Sequence, residues 1–560
     1  MQRHPGQAAV ALLLGAFLLL FLVVPVVKVV HVAFSDATGA LTLVNFEDFF
    51  RTSLFRESFA NSMYVAGMSV VFASLIALPL AYFTVRFHFR GAILIQTLGV
   101  IPLIMPPFVG AVAMQLLFGR NGSLNLLLDR FFGFTIPIMD GLNGVIFVES
   151  IHYFPFILLN LSAALANIDR AMEEAAQNLG ASGIKLFRQI VFPLALPGYV
   201  AGAALVFIKV FDDLGTPLVL NVTNMLAPQA YLRITSIGLT DPIGYVIAVI
   251  MVVFSLAALW ASALTLKGKQ YATIQRGGGG LAKRRLKPWE QAVAMGLIVL
   301  ILLVVLSPHV GIFLLSIGTI WSFSVLPDGY TLKHFAEVFA ESTGFITNTF
   351  LYAGLAAAAD VILGTAIAYL ILRTRLVGRQ VLDYVATAAL AIPGVVLGIG
   401  YLRTFYGVEL PGGQPLATFW VMLVVVYAIR RLPYALRACV AALHQVHVAM
   451  EEAAETLGAA KLTTVRRIVM PLMAGGMLAG FVTSFVTAAV ELSATLMLVS
   501  KNADAPLSYG IYVYMQTAAG RGPGAALGVI AVVLVGLGTY LSNRLIERGR
   551  RQYSLEGNNQ

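Results

Sequence analysis

Lys209, Asp212 and Asp213 crowd into one apolar run and Glu491 stands in another, in stretches that otherwise carry few ionisable side chains. At membrane depth such groups cost roughly 2.5–3.5 kcal/mol each on insertion scales, so each needs a function or a partner. Two chemistries fit these residues. They line or gate a path for a polar solute, or they form an internal network in which Lys209 neutralises Asp212 or Asp213 about one helical turn away. Glu149 and Asp360 stand alone in their apolar runs, and His152 and His309 have no partner at ligand spacing, so no metal site is read here.

Asp213 and Glu491 lie 278 residues apart, and the same interval organises the chain. Ala171 to Leu194, AMEEAAQNLGASGIKLFRQIVFPL, returns at Ala449 to Leu472 as AMEEAAETLGAAKLTTVRRIVMPL, with fourteen of 24 positions identical and no gap. The chain is therefore two copies of one unit. Asp213 and Glu491 become equivalent by pseudosymmetry, and halves packed face to face would bring them toward a shared path. Further matches pair Asn61 with Asn348, Ala81 and Tyr82 with Ala368 and Tyr369, and Arg86 and Gly91 with Arg373 and Gly378. These are offset by 287, so the copies differ by a net nine residues somewhere between the two sets.

Each repeated segment reads as a helix, a turn and a second, amphipathic helix. Asp169 is placed to cap a helix bearing Glu173, Glu174, Ala175 and Ala176, and Gly180 suits a left-handed stop. A second helix from Ser182 sets Lys185 and Arg188 against Leu186, Ile190 and Val191, until Pro193 turns the chain into the next span. The second copy supplies Glu451, Glu452, Ala453, Ala454, Gly458 and Pro471. A plain connector would account for one such segment. Two gap-free copies fit a pair of handles that a moving partner grips, with alanines allowing close approach and glutamates offering charge.

The elements that must position these residues are apolar spans. With 59% hydrophobic and 11% charged residues and a mean hydropathy of +0.85, the chain lacks the polar surface of a soluble globule. Runs able to cross the bilayer lie near 8–27, 62–84, 93–117, 141–165, 195–219 and 242–266, then 291–318, 348–372, 381–404, 416–437, 474–499 and 524–543. The fold expected is all-α, with about twelve membrane helices in two parallel, pseudosymmetric six-helix halves. The first half covers 1–266 with its loop at 169–194, and the second covers 291–560 with its loop at 447–472. Pro102, Pro106, Pro107 and Pro393 fall near span centres and should kink or break them. The N-terminal run is too long for a signal-peptide core and reads as an uncleaved span.

Charge sets the expected orientation. The joining segment 267–290 holds Lys267, Lys269, Arg276, Lys283, Arg284, Arg285 and Lys287 around a flexible run at Gly277 to Gly280, and is placed in the cytoplasm. Arg86 and Arg90, then Arg373, Arg375 and Arg379, and the tail residues Arg544, Arg548, Arg550 and Arg551, join it there with both termini and both repeated loops. The net charge of +10 is thus a topology signal and not a nucleic-acid footprint. The single cysteine, Cys439, excludes a disulfide framework. The chain has no G-x-x-x-x-G-K-[ST] loop, since Gly277 to Gly280 are followed by Leu281 and Ala282, and it has no nucleophile elbow or zinc-protease helix.

The repeated segment resembles the signature loop of binding-protein-dependent ABC-transporter permeases: EAA, three residues, Gly, nine residues, Ile, one residue, a hydrophobic residue and Pro. It appears as Glu174, Ala175, Ala176, Gly180, Ile190, Phe192 and Pro193, and again as Glu452, Ala453, Ala454, Gly458, Ile468, Met470 and Pro471, departing only where Phe192 and Met470 replace Leu. The resemblance implies the fold of a type I, MetI-like importer permease in which both loops are coupling helices seated on an ATPase. Two halves in one chain, with FDDLGTPLVL (Phe211 to Leu220), VELSATLML (Val490 to Leu498) and YAIRRLPYALRA (Tyr427 to Ala438), resemble the fused iron(III) importer branch, whose relatives handle 2-aminoethylphosphonate, thiamine, sulfate or polyamines.

That resemblance implies a transport subunit without catalytic residues or cofactor of its own. A homodimeric ATPase subunit would use ATP and magnesium, and a periplasmic or lipid-anchored binding protein would deliver the substrate to this inner-membrane chain. Iron(III) is the substrate expected, the acids in the paired spans favouring a cation. A secondary transporter driven by an ion gradient remains a reading of another class. It explains the span count and the acids but not the duplicated loop. An intramembrane enzyme would have only Asp212, Asp213 and Glu491 to work with.

Overall fold

The computed structural model describes residues 5–88, 91–168, 170–267 and 286–557. Arg90, Asp169 and the linker residues Lys269 to Arg285 lie outside them.

The first half runs through α1 (Gly6–Ala33), α2 (Ser53–Arg86), α3 (Ala92–Ile104), α4 (Pro107–Phe132), α5 (Leu142–Ala166), α6 (Arg170–Asn178), α7 (Phe187–Asp212), the short α8 (Gly215–Val219) and α9 (Pro242–Lys267). The second repeats the order as α10 (Pro288–Ile317), α11 (Thr343–Arg373), α12 (Arg379–Ala391), α13 (Gly394–Phe405), α14 (Trp420–Gln445), α15 (Val448–Thr456), α16 (Lys461–Ala489), α17 (Ser493–Leu498) and α18 (Arg521–Gly557). Among the described residues nine helices are long and apolar enough to cross a membrane, and two bent pairs raise this to eleven. The remaining expected span is α14. Its 26 residues suffice in length, but Arg430, Arg431 and Arg437 make it too polar to pass on composition.

Four of the expected spans are broken. The prolines divide two: α3 meets α4 at 103° across Met105 and Pro106, and α12 meets α13 at 110° across Ile392 and Pro393. Pro106 and Pro393 occupy equivalent positions at the offset of 287, both extended at the head of the second arm. A third break separates α7 from α8 at Asp213 and recurs between α16 and α17 at Val490 to Leu492. The nine-residue difference between the copies lies between Phe118 and Leu142 in the first half and between Phe405 and Trp420 in the second, where residues 119–141 correspond to 406–419.

The first helix of each half reaches into the other half. Helix α1 packs on α13, and α10 packs on α3 and α4. Proline chemistry fixes one of these contacts. Pro25 has no N–H for the Phe21 carbonyl four residues back, and Tyr401 of the second half donates its hydroxyl to that oxygen at 2.7 Å. The backbone at Pro25 comes close enough that a Cβ on Gly400 would sit 2.8 Å from its carbonyl oxygen. The matched asparagines also have one job in both halves. Asn61 donates to the Asn224 carbonyl at 2.9 Å, and Asn348 to the carbonyls of Ala503 and Ala505 at 2.7 and 3.0 Å, tying α2 and α11 to the loops beyond α8 and α17.

Candidate functional site

The amphipathic helix expected to end at Pro193 does not end there. It continues into α7, and its counterpart continues into α16, through a π-turn at Phe187–Val191 and Val465–Val469. Pro193 and Pro471 cannot donate to a carbonyl, and their rings would strike the carbonyl four residues back in a regular α-helix. One wider turn relieves both problems: the Phe192 N–H bonds to the Phe187 carbonyl and the Met470 N–H to that of Val465, five residues back. Each coupling turn is therefore joined to its span as one rod. Helix α7, with 26 residues, is about 39 Å long. Its far end is Asp212.

At that end lie the residues singled out from the sequence. The Asp213 carboxylate accepts the backbone N–H groups of Gly215 and Thr216 at 3.3 and 3.0 Å, and Glu491 accepts that of Ala494 at 3.2 Å. The pseudosymmetric acids thus make the same local bond, each satisfying orphan donors at the start of the short helix after its break. Asp212 does something different. Its Oδ1 accepts the Gly394 N–H at the head of α13 at 2.7 Å, and its Oδ2 accepts from Arg430 of α14 at 2.5 Å. Arg430 also pairs with Glu491, and Arg431 pairs with Glu491 from the next position. All four side chains are buried. The sequence Asp212, Arg430, Glu491, Arg431 is a chain of ion pairs that crosses from the first half to the second.

These arginines change two expectations. Among the described residues no ion pair joins Lys209 to Asp212 or Asp213; the counter-ion of Asp212 is Arg430. The slight preference for a cation, drawn from the acids with Lys209 offsetting one of them, does not hold for the lining either. A cavity of about 360 Å³ between the halves is bounded by Lys209, Arg430 and Arg431 together with Asp212, Asp213 and Glu491, three cations against three acids. Arg430 and Arg431 were legible under the rule that flagged the acids, being ionisable residues inside an expected span. The equivalent positions of the first half, 278 residues earlier, are His152 and Tyr153, and both line the same cavity.

The asymmetry is chemically consistent. Where Asp212 meets a free N–H at Gly394, the equivalent pair is Val490 and Pro107, an apolar side chain and a residue with no N–H to offer. Gly394 is also hemmed in, since a Cβ there would lie 2.8 Å from the Arg430 guanidinium carbon and 2.9 Å from a Glu491 oxygen. The two acids that stand alone in their spans are near the same groups, Glu149 near Asp213 and Thr216 and Asp360 near Ser484, and among the described residues neither carboxyl has a hydrogen-bond partner.

At the other end of the rods, α6 and α15 end alike. The Gly180 N–H bonds to the Gln177 carbonyl and that of Ala181 to Ala176, both at 2.9 Å; Gly458 and Ala459 repeat the pattern on Glu455 and Ala454 at 3.0 Å. These paired bonds form a Schellman turn, which needs a left-handed residue, and the glycines have φ of +85° and +87°. Open space surrounds both, so a side chain would meet backbone strain and not a clash. Replacing Gly180 or Gly458 with valine costs about 1–2 kcal/mol in that conformation. With these helices in the coupling role that the resemblance implies, uptake is expected to fall while ATP hydrolysis continues, measured side by side in proteoliposomes.

The two glutamates of each EEAA run face opposite ways. Glu174, Ala175, Glu452 and Ala453 are exposed, whereas Ala176, Ala454 and Glu451 are buried and Glu173 is nearly so. Met172 and Leu179, and their counterparts Met450 and Leu457, add an exposed apolar stripe, with both leucines 88% exposed. The sequence pattern drew attention to the glutamates and alanines and not to this stripe, which the interval of 278 also matches.

The profile of the family described as "Binding-protein-dependent transport system inner membrane component" matches residues 69–270 and 360–552, well over half the chain and once in each half. The chain belongs to this family. The permease is 26% identical over 460 residues to the ferric transport system permease protein FbpB of Actinobacillus pleuropneumoniae, covering 80% of this chain and 66% of the relative. It is 27% identical over 447 residues to the putative ferric transport system permease protein FbpB 1 of Haemophilus influenzae, covering 79% and 70%. The matched region thus spans about two thirds of each ferric relative. The putative 2-aminoethylphosphonate transport system permease protein PhnU of Salmonella typhimurium is 29% identical over 212 residues, covering 37% of this chain and 74% of its own. The permease is a multi-pass inner-membrane protein made of two copies of the family unit.

Proposed function

We propose that this permease forms the whole translocation path of an ATP-driven importer for iron(III), with α6 and α15 docked on the two subunits of a cytoplasmic ATPase and a separate binding protein delivering substrate on the far side. The observation that carries the coupling is the continuity of each rod. A nine-residue docking helix stands at one end, and the ion-paired break beside the 360 Å³ cavity stands at the other. The iron assignment rests on the two ferric relatives, which align across both halves.

The mechanism follows from the rods. Closure of the ATPase dimer on ATP draws the two docking helices together, the rods tilt, and their far ends at Asp212 and Ala489 shift relative to α13 and α14. Arg430 then exchanges its partners and the cavity changes the side to which it opens. Asp213 and Glu491 keep the short helices capped during this movement. Nucleotide and magnesium belong to the ATPase, and this chain contributes no catalytic group.

The test is uptake into proteoliposomes containing the permease, its ATPase and its binding protein. Radiolabelled iron(III) should accumulate only with ATP inside and binding protein outside. Accumulation that needs no ATP and collapses with an uncoupler would establish the ion-gradient reading instead. Uptake of 2-aminoethylphosphonate with no uptake of iron would move the permease to the substrate of its Salmonella relative.

A further inference from the structure

We infer that Arg86 and Arg373 are positioning residues that clamp each docking helix to the foot of the second span of its half through the first glutamate of EEAA. The inference rests on reading α6 and α15 as the ATPase-docking helices. Arg86 is the last residue of α2 and pairs with Glu173; Arg373 is the last residue of α11, and its Nε donates to Glu451 Oε1 at 2.6 Å. The four side chains are between 9% and 12% exposed, so solvent does little to screen either pair.

In the second half the clamp gathers three elements. Arg373 Nη2 donates to the carbonyls of Val446 and Leu443 at 2.6 and 3.2 Å, at the end of α14, while its Nε holds Glu451 in the first turn of α15. A cation there complements the negative end of α14, and the glutamate complements the positive end of α15. Tyr369, one turn earlier on α11, adds its hydroxyl to Glu451 Oε2 at 3.4 Å. Tyr82 occupies the matching position in the first half.

The clamp has mechanical work to do. A helix of nine residues is too short to be stable alone. Helix α15 leaves α14 through two residues, Val446 and His447, about which it would pivot if pushed. Pinned by Glu451, it transmits a displacement into α11 and α14 as well as along its rod. In the first half the clamp is the Arg86–Glu173 pair, which joins α6 to the foot of α2.

The experiment compares Glu173→Gln, Glu451→Gln and their double variant in the reconstituted transporter, reading solute moved per ATP hydrolysed and ATPase retained on the permease. Glutamine keeps the shape and removes the charge. The inference expects the ATPase to stay bound while transport per ATP falls about tenfold or more in the double variant, as expected when a buried cation loses its partner. A further variant carries Arg86→Cys with Glu173→Cys on a Cys439→Ser background; a short bifunctional thiol crosslinker should restore the ratio lost before crosslinking. An unchanged ratio in the double glutamine variant would overturn the clamp. So would release of the ATPase by Glu451→Gln alone, which would make Glu451 a partner contact. Failure of the docking reading itself is separately visible, because the ATPase would then be retained when Leu179 and Leu457 beside the docking helices are both replaced by glutamate.

Discussion

Replacing Arg430 with methionine is expected to abolish ATP-driven uptake and to lower the melting temperature of the permease. Arg430 is the only described side chain that pairs with an acid from each half, Asp212 of α7 and Glu491 beyond α16. It is 6% exposed, so its loss leaves two buried carboxylates with Arg431 as the remaining guanidinium beside them. Breaking a buried pair by removing one partner costs about 3–5 kcal/mol. A shift of about 5.5 kcal/mol is enough to carry a two-state equilibrium from one side almost wholly to the other. The substitution supplies most of such a shift and strongly depletes the state in which Arg430 ties the halves together. Uptake should fall about a hundredfold or more, since each 1.4 kcal/mol is a factor of ten. Adding Asp212→Asn removes one stranded charge and should recover melting temperature without recovering uptake, because the link between halves is still gone. Full uptake by the Arg430→Met permease would remove the ion-pair chain from the mechanism.

Loss of the ATPase subunit is the expected result of placing glutamate at Leu179 and Leu457 together. Both leucines are 88% exposed in the turns that end α6 and α15, and each extends an exposed apolar stripe with Met172 or Met450. Burying each against a partner is worth about 1.5–3 kcal/mol, and a glutamate in the same groove adds a desolvation cost. In the proposed assembly one ATPase dimer holds both sites, so the second contact forms at high effective concentration. Either single variant should weaken co-purification, and the double variant should eliminate it while the permease remains monodisperse. Co-purification with an affinity-tagged permease reads the outcome. An ATPase retained by the double variant would show that the stripe is not the docking surface.

Much of this arrangement is legible in the residues alone. The interval of 278 marks the duplicated docking helices, the glycines that end them and the equivalence of Asp213 and Glu491, because a repeat preserves local backbone requirements residue by residue. The prolines at 106 and 393 announce breaks, since a missing N–H acts through neighbouring residues alone. The breaks after Asp212 and Ala489 are not announced in this way. There the helix ends because acids cap a new helix, and nothing in hydrophobicity distinguishes that from a continuous span. Pro193 misleads in the opposite sense, because a π-turn lets the helix pass through it.

By itself, then, the sequence determined whatever depends on covalent neighbours: two copies, helical spans, and left-handed turns at Gly180 and Gly458. Tertiary structure alone decided which charges meet. Arg430 lies 218 residues from Asp212, and Arg373 lies 78 from Glu451. No local pattern encodes such pairings, because they depend on how the packed helices bring distant charges out of water and beside one another.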